Sequence, residues 1–439
     1  MKKRKLNNRL IVPLILAGMC LMILLLGMLY KNTRPEIIDQ YVRGDDLYLV
    51  FKNKVSWSLD NETWNETDEN NSFKLSADIN PDDLRIRNGL GYTYSNYSEI
   101  DASVLKDTEV NDSMIYLALN GKRSINYSYT GSDNPEISFS SNDESVATVN
   151  EEGIISGISK GQTSIKAKIG NTSYLIDVMV SDLIDPVTAE FNYDKPFISP
   201  GIYSKEDNDL LDEILVARVE EAGYQTRAGV VAAARFLALE FPYRIHYFVE
   251  NGRIDSYVDL YCDGEGRYYH KGLYLHESRF ANLDPELIKD TPAVWGDILV
   301  EYTNERIWPN GLDCSGFVSW CLLQGGYDPG DLGAGIAEWE DLSDLGPRTW
   351  LEDSISELRT GDLLAGGEDP IEGGHIGMVA GLKDGYIYVA ESQGTSEYYW
   401  GYCIRKYTPE ELTEYFFWRV NMASYYGEDG NISDYWLSE

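Results

Sequence analysis

The residue with the clearest chemical potential in this 439-residue chain is Cys314, in the run Leu-Asp-Cys-Ser-Gly-Phe-Val-Ser-Trp-Cys-Leu-Leu over 312–323. The apolar residues that follow it recur at helical spacing: Phe317, Val318, Cys321 and Leu322. This pattern predicts a buried helix with Cys314 at or just before its first turn. Free N–H groups and the positive end of the helix dipole would favour the thiolate there. Because the thiolate is the nucleophilic form of cysteine, we predict that Cys314 is a nucleophile.

The residues around Cys314 are predicted to support it. Asp313 can cap the free backbone N–H groups of the first turn, and the N–H of Cys314 could help to hold an oxyanion. Ser315 has two interpretations, a second capping residue or a catalytic helper. Asp313 and Ser315 are therefore candidates for the oxyanion or substrate-lining part of the site. Cys321, two turns further along the same face, is predicted to be a core residue.

A thiolate nucleophile needs a partner that accepts and donates protons. Of the four histidines, only His375 opens a β-like run, Gly-Gly-His-Ile-Gly-Met-Val-Ala-Gly over 373–381. A turn at 383–385 leads into a second predicted strand over 386–391. Antiparallel pairing would bring Glu391 or a neighbour to the imidazole, where a carboxylate would orient the ring and support the imidazolium. Gln393 is a rival for this third position.

Three motifs together resemble the NlpC-type cell-wall cysteine peptidases, which are papain-like in fold. They are Asp-Cys-Ser-Gly-Phe-Val over 313–318, Leu-Arg-Thr-Gly-Asp-Leu-Leu over 358–364 and Gly-His-Ile-Gly-Met-Val over 374–379. The resemblance covers roughly residues 290–420 and includes the order of the motifs. It implies hydrolysis of amide bonds in peptidoglycan stem peptides, with Cys314 as nucleophile, His375 as base and neither a metal nor another cofactor.

Two features depart from the family's pattern. Its third polar residue is commonly His, Asn or Gln, whereas this chain offers Glu391, as amidase-type relatives do. Many members also have a Tyr shortly before a Trp-Gly-Gly turn upstream of the nucleophile, and here that region reads Pro-Ala-Val-Trp-Gly-Asp over 292–297. Trp295 is a candidate for lining the cleft, and the bond that is cut stays open.

The elements before the motifs predict an α+β domain over 201–425. Ser204-Lys-Glu-Asp207 is a capping box, apolar residues follow on one helical face up to Val219, and Gly223 ends the helix. Thr226 can cap a second, Ala-rich helix over 228–239. We expect both helices to pack against the catalytic part. Residues 426–439 form an acidic C-terminal tail.

Short alternating strands between turn signals predict β structure before this domain. The stretch from Phe139 to Val180 resembles a bacterial Ig-like domain, in which Gly153 and Gly161 supply turns. The family usually has Trp where Phe139 stands. We therefore predict a multidomain chain with a small β domain over 35–105, an Ig-like β-sandwich over 106–182 and a Pro-containing linker over 183–200. The resemblance implies a spacer or a wall-binding module.

The N-terminus predicts a membrane anchor over 1–34. Residues 11–30 carry no charge and, as a helix, would span about 30 Å, the thickness of a bilayer core. Five basic residues precede this run, so the positive-inside rule places the N-terminus in the cytoplasm and the bulk of the chain outside. A cleaved signal peptide is the alternative, but no small-x-small cleavage site follows.

The composition limits the classes of partner that the protein can bind and the chemistry that its cysteines can carry out. A net charge of -35 disfavours nucleic-acid binding, because such a surface repels phosphate backbones. The five cysteines are widely spaced and odd in number, which argues against a disulfide scaffold, and they contain no Cys-x-x-Cys pair, which argues against a zinc ribbon. A disulfide among Cys262, Cys321 and Cys403 stays open.

The sequence thus predicts a single-pass membrane protein of a Gram-positive-like bacterium. Its outward-facing cysteine hydrolase would cut peptidoglycan stem peptides during cell-wall remodelling. Two alternatives are an N-acetylmuramoyl-L-alanine amidase and a non-catalytic wall-binding or adhesion protein.

Overall fold

A computed structural model describes most of residues 33–187, 203–243, 313–327 and 344–432. Short gaps interrupt these ranges at 96, 98–99, 101–106, 111–112, 132–134, 171, 370–372 and 394–400. Isolated positions and strands are also described: Met22, Met28, 269–270, 288–289, 298–302, 306–309, Pro329, Leu332 and Leu342. Trp295 and Cys262 lie outside the described residues.

The described residues of the N-terminal region form sixteen strands. The first seven are β1 (Ile37–Arg43), β2 (Asp46–Phe51), β3 (Ser56–Ser58), β4 (Asn65–Glu66), β5 (Ser72–Ser76), β6 (Arg85–Arg87) and β7 (Thr93–Tyr94). The others are β8 (Thr108–Val110), β9 (Met114–Ala118), β10 (Lys122–Ser124), β11 (Tyr127–Tyr129), β12 (Ile137–Ser141), β13 (Ala147–Val149), β14 (Ile154–Gly157), β15 (Gly161–Ile169) and β16 (Thr172–Ser181). Apolar residues at every second position account for these strands. In β2, for example, Leu47, Leu49 and Phe51 all face the core.

One seven-stranded sheet runs through this whole region. Its order is β12-β15-β16-β1-β2-β5, with β9 also paired to β16. β1 joins β16 in parallel, with Tyr41 opposite Ser173. The predicted boundary at 105/106 therefore falls inside a continuous sheet.

Smaller sheets, β4-β3-β6-β7, β10-β14-β13 and β11-β8, cover the large one. A single apolar cluster joins them, with Leu49 and Ile165 from the large sheet and Ile86 and Ile155 from the small ones. The predicted β-sandwich is confirmed at this level. Gly153 has a φ of +78°, and a Cβ there would lie 3.0 Å from Phe139 Cζ, so a glycine is needed at this turn.

Two helices follow, α1 (Lys205–Ala222) and α2 (Arg227–Leu239). Ser204 and Asp207 form the predicted capping box of α1, and Thr226 caps α2 by accepting from the N–H of Gly229. Both helices belong to one apolar cluster with the helix that carries Cys314 and with the sheet that carries His375. The two helices therefore pack, as expected, against the part of the chain that carries Cys314 and His375.

In the C-terminal region, the part of the chain that the structure describes forms ten further strands, six of which make one antiparallel sheet. The two isolated pairs are β17 (Tyr269–His270) with β18 (Ile288–Lys289), and β19 (Ile298–Tyr302) with β20 (Arg306–Pro309). The sheet has the order β21-β26-β22-β23-β24-β25. Its strands are β21 (Arg348–Trp350), β22 (Leu363–Asp369), β23 (Gly373–Lys383), β24 (Tyr386–Gln393), β25 (Gly401–Tyr407) and β26 (Phe416–Val420).

The helices around this sheet are α3 (Cys314–Gln324), α4 (Leu351–Ser354), α5 (Pro409–Tyr415) and α6 (Ala423–Tyr426). After α6, part of the predicted tail packs against α2, since the carbonyls of Glu428 and Asp429 accept the N–H groups of Arg227 and Ala228. The C-terminal region is thus α+β and rich in strands.

Across the described ranges, no helix is both long enough and apolar enough to cross a membrane. The predicted span over 11–30 lies outside those ranges, apart from Met22 and Met28, which are helical and exposed.

Candidate active site

Cys314 is the first residue of α3, as its sequence context predicts. Asp313 is the N-cap in extended conformation, and its side chain accepts the N–H of Gly316 at 2.6 Å. Every residue of α3 is buried, and the helix lies against β23 and β24 in the same apolar cluster. The cap and the packing together hold the thiol, which is 5% exposed, at the positive end of the helix.

His375 and Glu391 approach each other across the β23–β24 ladder. Gly377 of β23 is paired with Glu391 of β24, so His375 lies diagonally opposite the carboxylate. The distance between His375 Nε2 and Glu391 Oε2 is 2.6 Å. A Cβ on Gly377 would lie 2.8 Å from Val389 Cγ1, so glycine is needed where the two strands meet.

The cysteine lies next to the strand that carries the histidine. Cys314 Sγ lies 4.0 Å from the carbonyl oxygen of Gly374, the residue before the histidine. Burial lowers the pKa of His375, but hydrogen bonds with Cys314 and Glu391 outweigh it and raise the pKa to about 9. The raised pKa favours the charged imidazolium form of the ring, which faces the Glu391 carboxylate.

Glu391 is fully buried, yet it stays an anion. Burial raises its pKa, but the hydrogen bond and charge of His375, followed by Arg405 and Tyr407, bring the net pKa below its ordinary value. The Tyr407 hydroxyl donates to Oε1 at 2.8 Å, and Arg405 Nε lies 3.6 Å from the same oxygen. The Gln393 amide donates to Oε2 at 3.1 Å. These donors replace the water that the carboxylate lacks.

Tyr415 contacts two members of the group around Glu391, namely Gln393 and His375. Its hydroxyl oxygen accepts the Gln393 amide at 2.8 Å, and its ring lies edge-on to His375 with centroids 5.6 Å apart. Burial and the negative charge of Glu391 raise the pKa of Tyr415 to about 12, so its hydroxyl keeps its proton.

All predicted site residues except Trp295 lie in the part of the chain that the structure describes. Cys314, His375 and Glu391 come together, and the rival Gln393 holds the carboxylate instead of replacing it. Asp313 caps α3, and the Ser315 hydroxyl donates to its carboxylate at 3.4 Å, so Ser315 contacts the capping residue and is not itself the cap. Trp295 lies outside the described residues.

Tyr407, Arg405 and Tyr415 were not predicted. For Tyr407 and Arg405, the only sequence signal is an alternating strand over 401–407 that places both on one face. This pattern does not indicate which residue the two side chains contact. Cys314 and Cys321 are free thiols, and burial raises the pKa of Cys321, as expected for a core residue. Among the side chains that the structure describes, no cluster of three or more His, Cys, Asp or Glu could hold a metal ion.

Comparison with known proteins adds little to this geometry. No protein-family model and no curated protein matches the chain. Domains 4 and 5 of the S-layer protein SbsC match with 14% identity and a TM-score of 0.15, over 32% of this chain and 66% of that one. A longer form of SbsC is covered over only 18% of its length. This chain thus spans less than two thirds of the S-layer structures that it matches.

Two further structures match at similar levels. The Ig1-2 module of the Drosophila receptor protein tyrosine phosphatase DLAR has 13% identity and a TM-score of 0.21, over 34% of this chain and 98% of that one. A fragment of intimin in complex with the intimin-binding domain of its receptor Tir has 12% identity and a TM-score of 0.14, over 36% and 68%. At these TM-scores the matches establish neither a shared fold nor a shared function.

Proposed function

We propose that this protein is a cysteine hydrolase that cuts peptide amide bonds. The observation that carries the proposal is the arrangement of Cys314 at a helix N-terminus, next to the strand that carries His375, with Glu391 buried 2.6 Å from the imidazole. A purely structural cysteine requires neither a charged imidazole nor an anion held by three further side chains. Nucleophile, base and orienting residue form the constellation of acyl-transfer enzymes.

The reaction proceeds through an acyl-enzyme. The Cys314 thiolate attacks the amide carbon, an S–C bond forms, and the carbonyl electrons move to oxygen. The C–N bond then breaks as the His375 imidazolium gives its proton to the leaving amine, which leaves a thioester on Cys314. Water attacks the thioester while His375 takes its proton, and cleavage of the S–C bond releases the carboxylic acid and restores the thiolate–imidazolium pair. Glu391 keeps the ring oriented in both steps.

The substrate class follows from the NlpC-type resemblance of the three motifs. We propose peptidoglycan stem peptides as substrates and a papain-like arrangement for the catalytic region. The run of uncharged residues at 11–30 and its flanking charges support a membrane anchor with the site outside the cell.

Mass spectrometry of digested peptidoglycan tests the proposal. The full-length chain in detergent micelles is incubated with purified peptidoglycan, beside a Cys314→Ala variant. We expect soluble stem-peptide fragments from the wild type and none from the variant, and the fragment masses separate an endopeptidase from an N-acetylmuramoyl-L-alanine amidase. Equal release by both proteins, or no release by a folded wild type, would contradict the proposal.

A non-catalytic wall-binding or adhesion protein is the second candidate. The observation that favours it is the large β-sandwich over 33–187, whose described side chains take no part in the hydrogen bonds between Glu391 and its partners His375, Gln393 and Tyr407. Solved structures that match include S-layer and intimin domains, although their TM-scores carry no weight. Sedimentation with insoluble peptidoglycan distinguishes the two, because this candidate predicts binding by the Cys314→Ala variant without release of fragments by the wild type.

A further inference from the structure

A pair of stacked tryptophans lies at the edge of the catalytic sheet, outside the group around Cys314. Trp350 of β21 and Trp418 of β26 have ring centroids 3.7 Å apart and an interplanar angle of 25°. Trp350 is 45% exposed, the largest exposed aromatic side chain among the described residues, and all three residues of its strand are exposed. A large flat aromatic surface is thus presented to solvent.

The strand register gives the position of the stacked pair Trp350 and Trp418, called the platform from here on, relative to the candidate active site. Trp418 is paired with Ala365, and Ala365 is paired with Ile376, the residue after His375. Two inter-strand spacings of about 4.8 Å therefore separate Trp418 from the catalytic strand, and Trp350 lies one strand further out. Trp418 packs against the same apolar cluster that contains Cys314, so platform and thiol lie on the same side of the sheet.

A cation accompanies the aromatic surface. The Arg348 guanidinium lies over the Trp418 ring, 4.6 Å from its centroid. A pyranose ring has a flat face of C–H bonds that stacks on indole, and its rim carries oxygens that accept hydrogen bonds from a guanidinium. Two stacked indoles beside an arginine suit a sugar ring better than an aliphatic side chain, which has no flat face.

We propose that the exposed face of Trp350, supported from behind by Trp418, binds a sugar ring of the glycan strand that carries the stem peptide. This inference rests on the proposed function. The distances agree, because three or four extended residues span about 10–14 Å, close to the separation of the platform from the catalytic strand. With the sugar on the platform, the bond that reaches Cys314 lies within the first few residues of the stem.

Binding can be measured without catalysis. In a Cys314→Ala background, the full-length chain is titrated with an N-acetylglucosamine–N-acetylmuramic acid disaccharide bearing a stem tripeptide, and separately with the free tripeptide. Trp350→Ala is expected to weaken binding of the disaccharide–tripeptide about tenfold and to leave binding of the free tripeptide unchanged. Tyr386→Ala is the matched control. Tyr386 is also an exposed aromatic residue, at 38%, but it lies at the start of β24 and not on the strands of the tryptophan pair.

The outcomes separate this inference from the proposed function. Unchanged affinity of a folded Trp350→Ala variant for the disaccharide–tripeptide overturns the platform, as does absence of binding by the parent protein. If the parent binds the disaccharide in a Trp350-dependent way but active wild type cuts no peptide, the platform stands and the hydrolase proposal fails. If wild type is active, Trp350→Ala should raise KM for glycan-linked substrate about tenfold and leave KM for the free peptide unchanged.

Discussion

At the residue scale, the His375–Glu391 pair controls the protonation state of the candidate site. The pKa of His375, about 9, lies above the ordinary 6.5, because the hydrogen bonds with Cys314 and Glu391 outweigh burial. The pair's stabilising effect is therefore fully present below pH 6.5 and is lost as the pH rises through about 9. A proton for the leaving amine is available over the same range.

The first prediction concerns Glu391→Gln, which removes the negative charge from the buried partner. The pKa of His375 should fall, so the alkaline limb of the profile of kcat/KM against pH should move to lower pH, with a lower maximal rate. Glu410→Gln, at an exposed glutamate of α5, serves as the control. An alkaline limb at the wild-type position would show that Glu391 does not set this pKa.

The second prediction concerns Tyr407→Phe, which deletes one hydroxyl and leaves the ring. The Oε1 atom of a fully buried carboxylate loses its 2.8 Å donor, so the free energy of unfolding should fall by about 1–3 kcal/mol. Urea unfolding of the variant measures this change. Tyr386→Phe, which removes a hydroxyl from an exposed tyrosine, should leave the midpoint unchanged. Equal midpoints for both variants would contradict the importance of this hydrogen bond.

At the element scale, the N-terminus of α3 supplies the position of the thiol. The third prediction compares two changes at its N-cap. Asp313→Ala should lower the free energy of unfolding by about 1 kcal/mol and slow alkylation of Cys314 by iodoacetamide, because the Gly316 N–H loses its acceptor. Asp313→Asn keeps a good N-cap and should retain most of both quantities. Identical alkylation rates in the two variants would mean that the cap does not position the sulfur.

The same element shows how far the sequence predicts the site. Helical spacing after Cys314 and the capping residue before it are local signals, so the start of α3 was predicted correctly. The contact between Glu391 and His375 required only that two consecutive strands pair. Tyr407 is 16 positions from Glu391, and its contact depends on the register of a third strand, which no local pattern determines.

The N-terminal sheet shows a second limit. Alternation predicted strands on both sides of residue 105, but β1 pairs in parallel with β16, opposite Ser173. Parallel pairing needs no turn signal between its strands, so the joining of the two predicted β domains in one sheet had no local signature.

At the scale of the whole molecule, the β-sandwich packs against the region that carries Cys314 and His375. Arg218 of α1 donates to the Glu240 carboxylate at 2.7 and 2.8 Å and to the carbonyl of Tyr116 in β9 at 2.7 Å. Ala118 of β9 and Ile184, at the start of the predicted linker, belong to the same apolar cluster as Cys314. The sandwich therefore packs against the region that carries Cys314 and His375 instead of being joined to it only through a linker.

The fourth prediction tests this coupling. Wild type should unfold in a single calorimetric transition, because core and charges are shared across the junction. Arg218→Ala leaves the Glu240 carboxylate buried without the guanidinium and the Tyr116 carbonyl without that donor, which should destabilise the junction by about 3–5 kcal/mol and split the transition in two. Arg43→Ala, in the more exposed ion pair with Asp177, should change stability by at most about 1 kcal/mol. Two transitions in the wild type itself would instead mean that sandwich and catalytic region are independent, and that the site is free to move relative to any wall-binding surface on the sandwich.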